Sequence, residues 1–347
     1  MPLSPHGTTS SATDHAAQAA FEALLGQGDL LLNALINFQG AFTPPPFLTG
    51  DEGDRIYLLS PAAATGHGGT TTTTSTSGTA SSTLTGTAGH LQINLMWDAS
   101  VSSAPAGFKT AVIYAAQYFE SIISSNEKLN IQVGYGEVGG TTLGAGVLGA
   151  AGPYGINESY ASYKSQFAAH ATSADQQTVL ANMSSTDPTH GANIFVATGE
   201  AKALGLLSTY TGVDGVMGFA VNTNNLFTYD PAHRAVAGEY DFIGVAEHEL
   251  SHALGRIAIL SATQVTPLDL LRYSAPGVHD LGTSVQGYFS INGGTTNLDW
   301  YATSSDLGDW ASSAGYDANT AYAAIGVQNN FTHVDVQQLN ALGYALV

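Results

Sequence analysis

Five consecutive residues, His248-Glu249-Leu250-Ser251-His252, carry the densest chemistry in the chain. On a helix, side chains four apart share one face, one turn apart, so both imidazoles can turn toward a single cation. Glu249, beside the first imidazole, is placed to take the proton of a water that attacks a carbonyl polarised by that cation. Nitrogen ligands at this spacing point to zinc. The competing reading is a buried helix whose histidines merely bond nearby carbonyls, which is commoner for a single histidine than for a spaced pair. Phe242, Ile243, Val245, Ala246, Leu250, Ala253 and Leu254 give the segment an apolar, helix-competent character, and Gly255 is a natural stop.

A zinc site needs a third protein ligand. The extended motif with a further His six residues after the second is not present, because that position holds Ala258. The best replacement in the sequence is Asp269, in PLDLLRYSAPG. Its helix-turn spacing to Tyr273 would present a carboxylate ligand and a phenol together, the phenol bonding the oxyanion of a tetrahedral intermediate. His279 and His333 are the alternative third ligands. Tyr273 reads equally well as an aromatic packed under the active helix. Arg256 and Arg272 are two of only 8 basic residues and are expected to be structural, each with a paired acid. Asp299, Asp306 and Asp309 lie among turn formers and could hold Ca2+ through hard oxygen ligands, although solvated turns are the simpler reading.

The elements that must position these groups are partly legible. Residues 91 to 98 alternate like a strand, 105 to 125 have helical period with Pro105 near the start, and 129 to 137 read as a second strand. The right-handed crossover rule makes those two strands parallel. The glycine-rich stretch 138 to 155 reads as a flexible loop, without the fingerprint of a phosphate cradle. Helical segments are expected at about 157 to 170 and 173 to 183, a strand at 215 to 222, and a closing helix in FTHVDVQQLNALGYAL with Val334, Leu339 and Leu342 facing the core. Residues 14 to 37 read as a helix. Three divisions follow: a helical amino-terminal segment over 1 to 62, a propeptide or accessory region; a Gly/Thr/Ser-rich linker or mobile loop over 63 to 89; and a catalytic domain over 90 to 347.

Composition bounds the function. The 347 residues are 44% hydrophobic and 10% charged, a globular balance. With 27 acidic against 8 basic residues the formal charge is -19, which repels phosphate backbones and anionic lipid and excludes nucleic acid as an expected partner. No cysteine is present, so any metal must use nitrogen and oxygen ligands. The amino terminus lacks a basic stretch ahead of an apolar run and does not read as an ordinary signal peptide. No apolar run is long enough to span a membrane.

With these residues in view, the chain resembles a bacterial family of zincin-type metalloproteases, in DFIGVAEHELSHALGR, PLDLLRYSAPG, YFSINGG, LGDWA and VQQLNALGY. The likeness covers about 90 to 347. It implies an α+β zincin-like domain, a mixed twisted sheet packed on helices in a metzincin-like layout, with His248 and His252 as ligands of one zinc ion and Glu249 as the catalytic residue. It also implies an extracellular endopeptidase acting on proteins or peptides, exported without a cleavable leader and monomeric. Two other expectations stand beside it: a non-catalytic secreted binding or surface protein that keeps the metal for folding, and a metal-dependent hydrolase of non-peptide substrates.

Overall fold

Leu91, Ile93, Leu95 and Trp97 alternate with less buried neighbours and are themselves buried, as the period of a strand with one covered face requires. The computed structural model that shows this describes residues 57–58, 81–224 and 226–347. The expected helix at 14 to 37, the whole of 1–56 and the linker as far as residue 80 lie outside the described residues.

One mixed sheet is built from β1 (Tyr57–Leu58), β2 (Ser81–Leu84), β3 (Gln92–Trp97), β4 (Lys128–Tyr135), β7 (Gly149–Glu158), β8 (Asn193–Ala197), β9 (Gly215–Phe219) and β12 (Gln264–Val265). A small hairpin of β5 (Glu137–Val138) and β6 (Thr141–Thr142) precedes β7, and β10 (Phe227–Thr228) pairs with β11 (Tyr240–Asp241) just ahead of the helix that starts at Phe242. The order is β12-β8-β7-β9-β4-β3-β2, with β1 on β7. Strands β3, β4 and β9 run parallel, as the crossover rule predicts for the first two, and β7 runs against both its neighbours β8 and β9. A second, antiparallel sheet joins β13 (Arg272–Ala275), β14 (Val278–His279), β15 (Tyr288–Phe289) and β16 (Asp299–Trp300).

Six α-helices complete the described residues: α1 (Phe108–Ile122), α2 (Tyr160–His170), α3 (Ala174–Asn182), α4 (Thr198–Ala203), α5 (Phe242–Ala253) and α6 (His333–Ala341). The architecture is therefore mixed α+β. Helix α5 packs against α1 and against strands β7 and β9, while α1 also meets β3, and Phe242, Ile243, Ala246 and Leu250 of α5 share one core with Leu95, Phe108 and Phe219. A second core gathers Tyr163 and Phe167 of α2, Ile194 and Val196 of β8, Trp310 and Leu342. In α6, Leu339 is fully buried, as is Leu342 just beyond it, while Val334 packs at the margin.

Two expectations are corrected. The stretch 138 to 155 is not a flexible loop: ten residues from Gly149 form β7, the longest strand. Its run of small residues hides the alternation, and two of its glycines are imposed by close neighbours. A Cβ on Gly149 would lie 2.5 Å from Glu249 Oε1, and one on Gly155 would run into the Phe195 ring. The distal end of the 63 to 89 segment is not linker either, since Ser81–Leu84 pairs antiparallel with β3, its threonine and serine side chains suited to an exposed edge.

Candidate metal centre

Helix α5 ends in a Schellman turn. Gly255 has φ 114, its N–H donates to His252 O at 2.9 Å, and Arg256 N–H donates to Ser251 O at 3.1 Å. Glycine is required twice over, because a Cβ there would also lie 2.6 Å from Glu200 Cδ. The turn brings the Arg256 carbonyl to His252 Nδ1 and its guanidinium to His252 Nε2.

Each histidine is oriented by a backbone carbonyl. His248 Nδ1 donates to Ala318 O at 2.9 Å and His252 Nδ1 donates to Arg256 O at 2.6 Å. A carbonyl only accepts, so each ring carries a proton on Nδ1 and turns its Nε2 toward the other ring. The two Nε2 atoms lie 2.7 Å apart. Two lone pairs at that separation repel unless a cation or a shared proton lies with them. Desolvation of the ring pushes the pKa of His248 down to about 3, which makes the added proton the harder solution at neutral pH.

Asp309 supplies the third donor. Its Oδ1 is 3.3 Å from His252 Nε2 and its Oδ2 is 3.6 Å from His248 Nε2. Among the described residues, His248, His252 and Asp309 form the one group of three or more titratable ligands that converges on a point. Burial opposes the charge on Asp309, but neighbouring His248, Arg256 and His252 outweigh it and hold the carboxyl well below the usual carboxylate range. The donor set is two nitrogens and a carboxylate, which fits a zinc ion. The site is enclosed on one side only, since the His248 side chain keeps 16% exposure against 2% for His252 and 4% for Asp309.

Glu249 is buried and lies against Gly149 of β7, in space that any larger residue would fill. Arg256 is fully buried; its Nε donates to Ser251 Oγ at 2.8 Å, Nη1 to Gly308 O at 2.8 Å and Nη2 to Asp309 Oδ1 at 2.8 Å. Arg272 pairs with Asp280 at 2.9 Å, so each arginine has a partner acid.

The structure does not bring Asp269 to the cluster. Its Oδ2 accepts N–H bonds from Ile259, Leu260 and Thr266 at 3.1, 3.1 and 2.8 Å, pinning the loop after the active helix. The expected helical spacing fails because the helix is a single 3-10 turn, Asp269–Leu271, and Tyr273 lies beyond it in β13. Tyr273 stacks on His279, with ring centroids 4.5 Å apart, and both line a separate cavity with Tyr160, Tyr163 and Leu270. His333 is exposed at the start of α6. Asp299 and Asp306 accept backbone N–H bonds from Trp300 and Gly308, as turn acids do. The carboxylate that meets the two histidines is instead Asp309, which sequence reasoning grouped with the turn acids; it sits in LGDWA beside the fully buried Trp310.

The chain matches no protein-family model, no curated protein and no solved structure. The site is therefore read from its own geometry.

Proposed function

We propose that this chain is a secreted zinc-dependent endopeptidase of zincin type, with His248, His252 and Asp309 holding the ion and Glu249 as general base. The observation that carries the reading is the convergence of two Nε2 atoms, 2.7 Å apart, on one carboxylate. Bound there, zinc would polarise the scissile carbonyl. Glu249 takes a proton from the attacking water and returns it to the leaving amine. His248, on the partly exposed side, marks the approach for a peptide. Asp309 replaces Asp269 in the ligand set, and Tyr273 is given a packing role.

The wider assignment follows the resemblance in the five sequence segments. The substrate is a protein or peptide, the chain works as a monomer outside the cell, and its charge of -19 disfavours nucleic acid and anionic membranes. Among the described residues, no helix is long and apolar enough to cross a membrane.

A second reading, a non-catalytic binding protein with a structural centre, is favoured by one contact. Arg256 Nη2 lies 3.0 Å from His252 Nε2, so a buried cation already touches the cluster. Glu249→Gln separates the readings. Zinc content should persist while casein cleavage falls at least about a hundredfold; cleavage retained at the wild-type rate contradicts the assignment. Cleavage of esters or glycans but no peptide would move the reaction to another hydrolase class.

A further inference from the structure

Arg256 is a buried charged group, in contact with the cluster, that the proposed chemistry does not use. Its guanidinium is fully enclosed, yet one nitrogen, Nη2, reaches both Asp309 Oδ1 at 2.8 Å and His252 Nε2 at 3.0 Å. Those are a carboxylate oxygen and a ring nitrogen of the same three-residue cluster. Its bonds to Ser251 Oγ and Gly308 O fix the fork against the helix end and against the residue preceding Asp309. A buried carboxylate without a counter-charge is costly, and removing one partner of such a pair destabilises strongly.

Resting on the zinc reading above, we infer that Arg256 is a positioning residue that stands in for the ion's charge in the metal-free chain. Its Nη2 holds the Asp309 carboxylate turned toward the histidines and occupies His252 Nε2 until an ion arrives. The centre is thus preformed rather than created by the metal. Arg256 also competes with the ion, because its hydrogen bond to His252 Nε2 must be given up when that lone pair coordinates. Both effects make wild-type folding weakly dependent on zinc.

The test compares the full-length protein with Arg256→Met, measuring Tm in excess chelator and in saturating zinc, together with the zinc Kd by competition with a chromophoric chelator. Wild type should bind one zinc and show a small Tm gap between the two conditions. Arg256→Met should lose most of its stability in chelator and regain it in zinc, so the gap widens at least about threefold and zinc binds at least about tenfold tighter. A role in packing alone lowers both Tm values equally, and that result, or zinc bound no more tightly than by wild type, overturns the inference. Should Arg256→Met fail to fold, Arg256→Lys keeps the charge without the fork and should retain the wild-type gap; a widened gap there overturns it too. Wild type that binds no zinc removes the metal reading, and this inference with it.

Discussion

Asp309 and Asp269 are equally hidden, 2% and 1% exposed, and their surroundings give them different tasks. Asp309 faces cations and lone pairs, whereas Asp269 faces three backbone N–H groups of one loop. Asp309→Asn should therefore weaken zinc binding at least about tenfold, and because it strips buried Arg256 of its counter-charge it should also lower stability in zinc-free buffer. Asp269→Asn should cost about 1–3 kcal/mol in chemical denaturation with zinc stoichiometry and affinity unchanged. Zinc lost on Asp269→Asn and kept on Asp309→Asn would restore the ligand set expected from sequence. The two histidines and Glu249 were legible because helical spacing is local. The proposed third ligand was not: it arrives on a loop far along the chain, and nothing in the spacing of Asp269, His279 or His333 sets them apart from Asp309.

At the scale of elements, the active helix and the central glycine strand are fitted to each other. Gly149→Ala would place a methyl 2.5 Å from Glu249 Oε1, at a backbone position where the carboxylate must move. Peptide cleavage should fall at least about tenfold with zinc retained, since the atoms a Cβ on Gly149 meets belong to Glu249 and to none of the three proposed ligands. Unchanged kcat would mean that Glu249 tolerates displacement and is not the base. Gly255→Ala acts on the helix end, where φ 114 and the Glu200 side chain both oppose a Cβ. It should lower stability by about 1–3 kcal/mol and reduce zinc occupancy, because the Arg256 carbonyl that orients His252 hangs from that turn. The helix was readable from its apolar flanks, as were β3 and β4 from alternation. Strand β7 was not, because glycine and alanine give no alternating signal and its strand character comes from pairing with β8 and β9 on both sides.

For the whole molecule, the centre ties stability to pH. His248 titrates near 3 in the folded chain, pushed down by burial, against 6.5 when unfolded. Below 6.5 the unfolded chain takes up a proton that the folded ring refuses. The stability present above 6.5 is therefore lost as pH falls toward 3, with a slope of up to about 1.4 kcal/mol per pH unit. Glu137 has the opposite sense: burial, and then Asp98, raise its carboxyl to about 7, so its contribution is lost as pH rises toward 7. Comparing chelated wild type with His248→Gln isolates the first slope, which should disappear in the variant; an identical acid limb in both would show that the ring is not held neutral. Composition read from the sequence already fixed the broader limits, a globular acidic chain without thiolate ligands.

Zinc K-edge absorption on the zinc-loaded full-length protein tests the centre most directly. The account predicts one zinc per chain with two imidazole nitrogens at about 2.0–2.1 Å and oxygen donors completing the shell, one of them removed in Asp309→Asn. A spectrum lacking imidazole scattering, or one unchanged when both His248 and His252 are replaced, would contradict it.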